Sequence, residues 1–508
     1  MKVNYPETII LKSDGANASE KYLSALCSDT FLSLWSYPNL YRDKGRTGSK
    51  GDGKELCDLL VVFEKHVIMF SDKMCIYPST EDVQLNWSRW YRKAIRDAAT
   101  QLYGAERYMK MHSDKIYLDK LCQQKLPINV PDESDAIYHH IVVAHGASTA
   151  CQQFFNGGSG SLVIDTTTQG DRHWSLEDND IVPFHVGRVN PEHGFTHVFD
   201  DYSLGVVMQT LDTVTDFIAY LECKEKFLQT YEVISPGEEE LLAEYLQKID
   251  SDGRHCFVEN IDESDNISVI IFPEGSWQEF CVHPSRLAQV EENKISYMWD
   301  SLIEKFLYHI TTGTSESMSH PIVSEQEIIF RIMAKESRTH RRMLSTSLLD
   351  FMNKTPIDAR ATRLVYTEEP ATTCYLFLLL PHLFGTYKEH REIRKTLLLD
   401  YVHIAKIQYP DALDIIGIAF DNYNLKSQNN SEDVVYLDAR HWTKKEQEQA
   451  KVLEQEYIEN GLLSSRNYFH KIIKEYPDIE LGKFKGRHRN LPCPCGSGMK
   501  YKRCCGFD

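Results

Sequence analysis

The chain has 508 residues, 42% of them hydrophobic and 26% charged, the balance of an ordinary globular protein of about three domains. Its formal net charge of −18 excludes a protein that coats nucleic acid over its whole surface, because phosphate binding needs positive potential. Binding is local, however, and basic residues cluster around 89–96 and again after 482. The opening MKVNYPETIILKSDG lacks a charged stretch followed by an apolar one, so no signal peptide is expected. No window approaches the ~20 apolar residues of a membrane span. Of thirteen cysteines, those outside the C-terminal tail are scattered through apolar runs, as reduced thiols are in a cytoplasmic protein.

In chain order, Ser19 to Trp35 has apolar residues at helical spacing, with Ser19 as a candidate N-cap. Tyr37-Pro38-Asn39 ends that helix. A glycine-rich loop follows, and its Gly48 to Glu55 stretch falls short of a phosphate-cradling loop because no Ser or Thr follows Lys54. Leu56–Phe63 and Val67–Ile76 are apolar on both faces and predict an antiparallel pair of central strands. Asp58, Asp72 and Lys73 intrude on this pair, and a buried carboxylate or lysine is costly unless paired or bound to metal. Alternation puts Ser71 and Lys73 on one face and Asp72 on the other, unless a bulge turns Asp72 inward.

The next segment predicts a helix whose apolar stripe runs from Trp87 and Trp90 through Ala94 and Ala98 to Leu102. Gln101 falls on the same buried face and needs a polar partner there. Arg89, Arg92, Lys93 and Arg96 form a basic face beside Trp87, Trp90 and Tyr91, suited to a nucleic-acid backbone. Strands are expected at 137–146 and 161–165, and one long helix after Asp200-Asp201, whose acids favour the helix dipole. His139, His140, His145, His185, His193 and His197 form no His-Glu-x-x-His pair and read as satisfied or surface residues. Beyond residue 237 the pattern is α/β without a chemical signature: a strand pair at 254–258 and 267–272, helices over 285–352, strands within 361–381, a helix over 387–405, a buried strand at 414–421 and a charged helix over 443–462.

Asp58, Ser71 and Lys73 reproduce a layout that resembles the PD-(D/E)xK nuclease superfamily, where an aspartate opens the second strand and an acid-x-lysine sits on the third. The resemblance implies a restriction-endonuclease-like mixed sheet flanked by helices. It implies a Mg²⁺ or Mn²⁺ ion held by Asp58 and Glu20, with Asp72 a further carboxylate, Lys73 positioning the water and Gln101 steadying the site. This chain departs from the pattern at Ser71, where an acid or glutamine is expected. The other reading of Asp58 and Lys73 is a buried structural pair.

The tail reads Cys493-x-Cys495, eight residues, then Cys504-Cys505, and four soft thiolates suit tetrahedral zinc at ~2.3 Å. So short a segment cannot bury a core, and metal must supply its folding energy. The tail resembles the SEC-C motif, which implies zinc on Cys493, Cys495, Cys504 and Cys505 and a docking role toward a protein partner. No acid interrupts 481–507, so nucleic acid is a further candidate partner. The expected organisation is a nuclease-like domain (1–235), a second α/β domain (236–480) and the zinc knuckle with its basic tether (481–508). The expected function is a metal-dependent nuclease acting on DNA, a kind of domain that often serves defence against foreign DNA. The alternative is a non-catalytic adaptor that binds nucleic acid or protein.

Overall fold

The computed structural model describes residues 10, 12–43, 51–177, 181–251, 253–257, 269–312, 323–366, 373–383, 385–422, 431–463, 473–477, 489–490 and 500–503. The chain opens with α1 (Ala18–Trp35), β1 (Ser36–Arg42), β2 (Lys54–Phe63) and β3 (His66–Met74). Then come α2 (Val83–Tyr91), a π-helical turn (Arg92–Arg96), α3 (Asp97–Met111), β4 (Ile116–Tyr117), β5 (Ile137–His145) and α4 (Ser148–Phe155). β6 (Val163–Gln169), β7 (His185–Arg188), β8 (Thr196–Asp200), α5 (Ser203–Thr210), α6 (Val214–Thr230), β9 (Val233–Ser235), α7 (Glu238–Gln247) and β10 (Ile270–Ile271) follow.

Among the described residues the first sheet has the order β4-β1-β2-β3-β5-β8. β1, β2 and β3 are antiparallel neighbours, whereas β5 and β8 run parallel to β3. The both-face apolar pattern of β2 and β3 is explained by helices on each side. Phe31 of α1 meets Phe70 of β3 at 6.5 Å and Phe217 of α6 at 5.3 Å, so α1 and α6 cover the face of Phe70 and Asp72. Tyr103 of α3 meets His140 of β5 edge-on at 5.1 Å. His140 pairs with Met69, so α3 covers the face of Met69, Ser71 and Lys73.

Local details differ from the sequence expectation for identifiable reasons. The N-cap of α1 is Asn17, whose side chain accepts from Glu20 N, and the hydroxyl of Ser19 is used elsewhere. The single helix expected after Asp200 is two, α5 and α6, because Thr213 restarts the chain as an N-cap on Asp216 N. Of the pair expected near 254–272, Ile270–Ile271 is the strand seen among the described residues, and it runs parallel to β9. β9 and β10 complete a second sheet, β10-β9-β6-β7, so a strand pair crosses the expected boundary at 235.

Five helices come next: α8 (Ser276–Val282), α9 (Pro284–Asn293), α10 (Tyr297–Thr311), α11 (Val323–Ala334) and α12 (Arg338–Lys354). α10 and α11 back onto α1, where Glu304 accepts from Ser33 N at 2.6 Å and Glu327 from Trp35 Nε1 at 2.6 Å. The last part holds β11 (Ala361–Tyr366), β12 (Thr373–Leu380), α13 (Tyr387–Gln408), β13 (Asp414–Asp421), β14 (Glu432–Asp438) and α14 (Lys444–Glu459). Its sheet has the order β11-β12-β13-β14, with only β12 and β13 parallel. Gly417 lets α13 lie close on β13, since a Cβ there would stand 2.6 Å from Val402. The architecture is mixed α/β throughout, as expected. Among the described residues no helix is long and apolar enough to cross a membrane.

Candidate functional site

One step beyond the Leu59–Phe70 pair, Asp58 of β2 faces Ser71 of β3. Asp58 Oδ2 accepts from Ser71 Oγ at 3.2 Å and from Asp72 N at 2.6 Å, and lies 3.6 Å from Lys73 Nζ. Asp58 is buried, and Lys73 is 28% exposed. The expected pairing across the two strands is therefore present, and Ser71 supports Asp58 as a hydrogen-bond donor.

A bulge does occur, but in β2 and not in β3. Leu40 pairs with Cys57 while Tyr41 pairs with Glu55, which leaves Leu56 as the extra residue. The alternation flips there and Glu55 arrives on the face of Asp58. Asn39, on the neighbouring strand, reaches both Glu20 Oε2 at 3.0 Å and Glu55 Oε1 at 3.5 Å. Glu20 is also held by Ala16 N and Asn17 Nδ2 at the start of α1. Three carboxylates, Glu20, Glu55 and Asp58, thus share one end of the sheet with one ammonium. Desolvation raises the Asp58 carboxyl above the usual range, Lys73 and the two donors offset part of this, and Glu20 adds to it. Glu55 is raised as well, by desolvation and then by the charge of Asp58, with Glu20 adding less. Glu55 was not a sequence candidate. Its only signal was an acid just before an apolar strand, and the register of β1 decides where it points.

Asp72 does not join this group. Strand alternation holds, and its carboxylate points to the opposite face, accepting from Ser19 Oγ at 2.6 Å and lying 3.0 Å from His145 Nε2. His145 Nδ1 meets Asp201 Oδ1 at 2.7 Å, and Asp201 Oδ2 accepts from Gly146 N and Ser148 Oγ. Ser19, His145 and Asp201 have the connectivity of a nucleophile, base and orienting acid, with Ser19 Oγ 2.9 Å from His145 Nε2. Asp72 stands against that chemistry, because the Ser19 hydroxyl donates its hydrogen to Asp72 Oδ2 and not to His145. Despite burial, hydrogen bonds to Asp201 and Asp72 raise His145 to about 9, so near neutral pH it is an imidazolium and no base. The group is a clamp that ties α1, β3, β5 and the β8–α5 turn together. Gly146 completes the corner, because a Cβ there would stand 2.1 Å from Cys75 O.

Gln101 is half-buried on α3, over the face of Asp58, but no hydrogen bond joins it to the carboxylates among the described residues. Arg89 and Lys93 are exposed, and Arg92 and Arg96 lie over the Trp174 ring at 5.7 and 5.0 Å. Arg96 is further engaged by Asp97 at 2.7 Å. Lys93 and Lys73 both act on the Cys75 thiol, which places the basic segment beside the end of β3. Trp87, Trp90 and Tyr91 are buried and do not form a stacking surface. Trp87 Nε1 donates to His173 O, and Trp90 Nε1 to His145 O, so these rings are core.

His140, His145 and His185 have partners as expected, in Glu106, in Asp72 and Asp201, and in Pro183 O, whereas two other histidines depart from expectation. His139 and His197 are buried, and His139 Nδ1 and both ring nitrogens of His197 have no hydrogen-bond partner. Burial holds His139 down at about 3 and His197 well below its ordinary value, so both rings are neutral.

The comparisons with known proteins concern the C-terminus. Residues 489–507 match the SEC-C motif. The SEC-C segment is a metal-binding motif in general, and its four cysteines, Cys493, Cys495, Cys504 and Cys505, lie outside the described residues. The chain is 42% identical over 50 residues to UPF0225 protein SG1365 of Sodalis glossinidius, covering 9% of this chain and 29% of that protein. It is 42% identical over 69 residues to protein translocase subunit SecA of Trichlorobacter lovleyi, covering 13% of this chain and 7% of that one. It is 32% identical over 143 residues to SecA of Campylobacter curvus, covering 23% and 16%. The chain therefore spans less than a third of each of these relatives. No solved structure matches.

Proposed function

We propose that the first sheet is the core of a divalent-metal-dependent nuclease of the PD-(D/E)xK kind, acting on DNA. The observation that carries this reading is the bulge at Leu56, which brings Glu55 to the face of Asp58 and Lys73, with Asn39 linking Glu55 to Glu20. The donor set has the chemistry of a hard cation's ligands, but among the described residues these three carboxylates are not a group whose oxygens converge within 4.8 Å, so they would have to close on the ion. Three carboxylates face one lysine among the described residues; the Asp58 and Glu55 carboxyls are raised first by desolvation, and neighbouring negative charge adds to this. Glu20, Glu55 and Asp58 would hold Mg²⁺ or Mn²⁺, which when bound polarises a phosphate and acidifies water. Lys73 would orient that water and offset charge on the departing oxygen. Arg89 and Lys93 would grip the phosphate backbone from the exposed side of the helix that covers this face. Asp72 has no part in the reading, and Gln101 would reach the site only with substrate bound.

The fold order supports the reading: helix, three antiparallel strands, helix, then a strand parallel to the third, with Asp58 on the second strand and Lys73 on the third. The SEC-C segment would hold zinc on its four cysteines and dock a protein partner.

The test is cleavage of plasmid and linear DNA by the full chain with Mg²⁺ or Mn²⁺. Asp58→Ala, Glu55→Gln and Lys73→Ala should each lower the rate, by about 100-fold or more for Asp58. One observation favours the adaptor: Glu20 already accepts hydrogen bonds from Ala16, Asn17 and Asn39, which an ion would have to displace. DNA binding without cleavage under either metal, unchanged by Asp58→Ala, would make the chain a binding module.

A further inference from the structure

The opposite end of the same sheet carries a second constellation. His66 begins β3, His139 lies early in β5, and His197 lies early in β8. His66 pairs with Ile137, His139 with Ile68, and His197 with Ile141, so the three imidazoles share the face covered by α6 and climb diagonally across adjacent parallel strands. α6 presents Glu222 and Glu225 to them. Ring nitrogens of His139 and His197 and a carboxylate oxygen of Glu225 all lie within 4.8 Å of one another.

We propose that His139, His197 and Glu225 bind one divalent transition-metal ion of the zinc class, a site separate from both the carboxylate–lysine group and the SEC-C segment. Two imidazoles and one carboxylate are a donor set that borderline metals favour, and three protein ligands leave a position open. The orphaned nitrogens carry the argument. Nitrogens buried this deeply are rarely left unpaired, and an ion is a standard partner for them. His66 supplies the outer contact: its Nδ1 lies 3.0 Å from His139 Nε2, which leaves His139 Nδ1 free to face the ion. Glu222 in turn lies 3.8 Å from His66 Nδ1. His197 also borders a cavity with room for water, shared with Thr196, Val186, Lys224 and Glu238, from which an exchangeable ligand could reach the open position. Seven residues of β3 separate His66 from Lys73, roughly 20 Å at ~3.3 Å per residue, so the proposal does not depend on the nuclease reading.

The experiment titrates the metal-stripped full chain with Co²⁺ in excess Mg²⁺, which competes for any hard-cation site at the carboxylate group. The expected result is two equivalents of Co²⁺ per chain, one with the thiolate-to-metal charge-transfer band of the SEC-C cysteines and one without it. His197→Ala and Glu225→Gln should each remove the equivalent that lacks the band and leave the thiolate-bound one. Glu225 is half-exposed on α6, so Glu225→Gln decides the matter if His197→Ala does not fold. Uptake of the thiolate-bound equivalent alone by the parent chain overturns the proposal. So does retention of both equivalents in Glu225→Gln.

Discussion

Two carboxylate clusters among the described residues, each built around a strand aspartate, differ in how their charge is closed. In the third sheet, Asp421 of β13 and Asp433 of β14 face α13. Arg394, fully buried, donates to both, with Nε 2.8 Å from Asp433 Oδ2. His390 meets Asp421 at 2.8 Å, Tyr387 donates to it at 2.7 Å, and Arg391 donates to Asp433 at 2.9 Å. Cations and donors match the acids, and the cluster is a closed structural device. In the first sheet, Lys73 is the cation that acts on Glu55 and Asp58 among the described residues, and it is partly in solvent. A fold that needed these acids only for stability would not leave them short of positive charge. The open cluster invites a cation and the closed one does not.

The largest effect should come from opening the closed cluster. Arg394→Met leaves two buried carboxylates without their shared guanidinium and should cost about 3–5 kcal/mol, read by urea unfolding. Lys73→Met removes the corresponding cation from the open cluster. It should cost under about 1 kcal/mol, because a pair at 3.6 Å with one member in solvent is weak. Equal losses from the two substitutions would erase the distinction between the clusters.

The back of β3 gives the next effect. His145 is closed in by Asp72 and Asp201 and raised to about 9, above the ~6.5 of an unfolded chain. A raised histidine contributes stability that is complete below the unfolded value and is lost as pH rises through the folded one. The melting temperature should therefore fall between about pH 7 and 10, by the equivalent of about 3 kcal/mol. His145→Gln should flatten that fall. A parent chain whose stability does not change over this range would show that the clamp is not charged.

The sequence made some of this arrangement visible and hid the rest for physical reasons. β2, β3 and β13 were legible because strands covered on both faces are apolar on both faces. Asp58 and Lys73 were legible because a charge in such a strand has to be explained. Glu55 was hidden, since a one-residue bulge set by the register of β1 flips its face. The histidine row was hidden for a related reason: its members come from three strands joined by long crossovers, and no local spacing records that they align. Trp87 and Trp90 beside arginines suggested a stacking surface, yet in a helix adjacent residues point different ways, and these rings face the core. Ser19 looked like a cap by residue type, but Asn17 has the cap and Ser19 belongs to Asp72.

The smallest stability change should be the most informative. The Asp58 carboxyl is raised in the folded chain, so its contribution is present below the unfolded value and is lost as pH rises through the folded one. At neutral pH an ionised Asp58 works against the fold. Asp58→Asn keeps an oxygen for Asp72 N and Ser71 Oγ while removing the charge, so stability should stay the same or rise by up to about 1 kcal/mol. On the proposed function Mg²⁺ should raise the melting temperature of the parent chain, because an ion that binds only the folded state stabilises it by mass action, and the same substitution should abolish that rise. Neutral stability with lost Mg²⁺ response would mark Asp58 as a ligand held in readiness. A loss of several kcal/mol would instead place Asp58 with Asp421, as one more acid whose only task is to keep its strand in place.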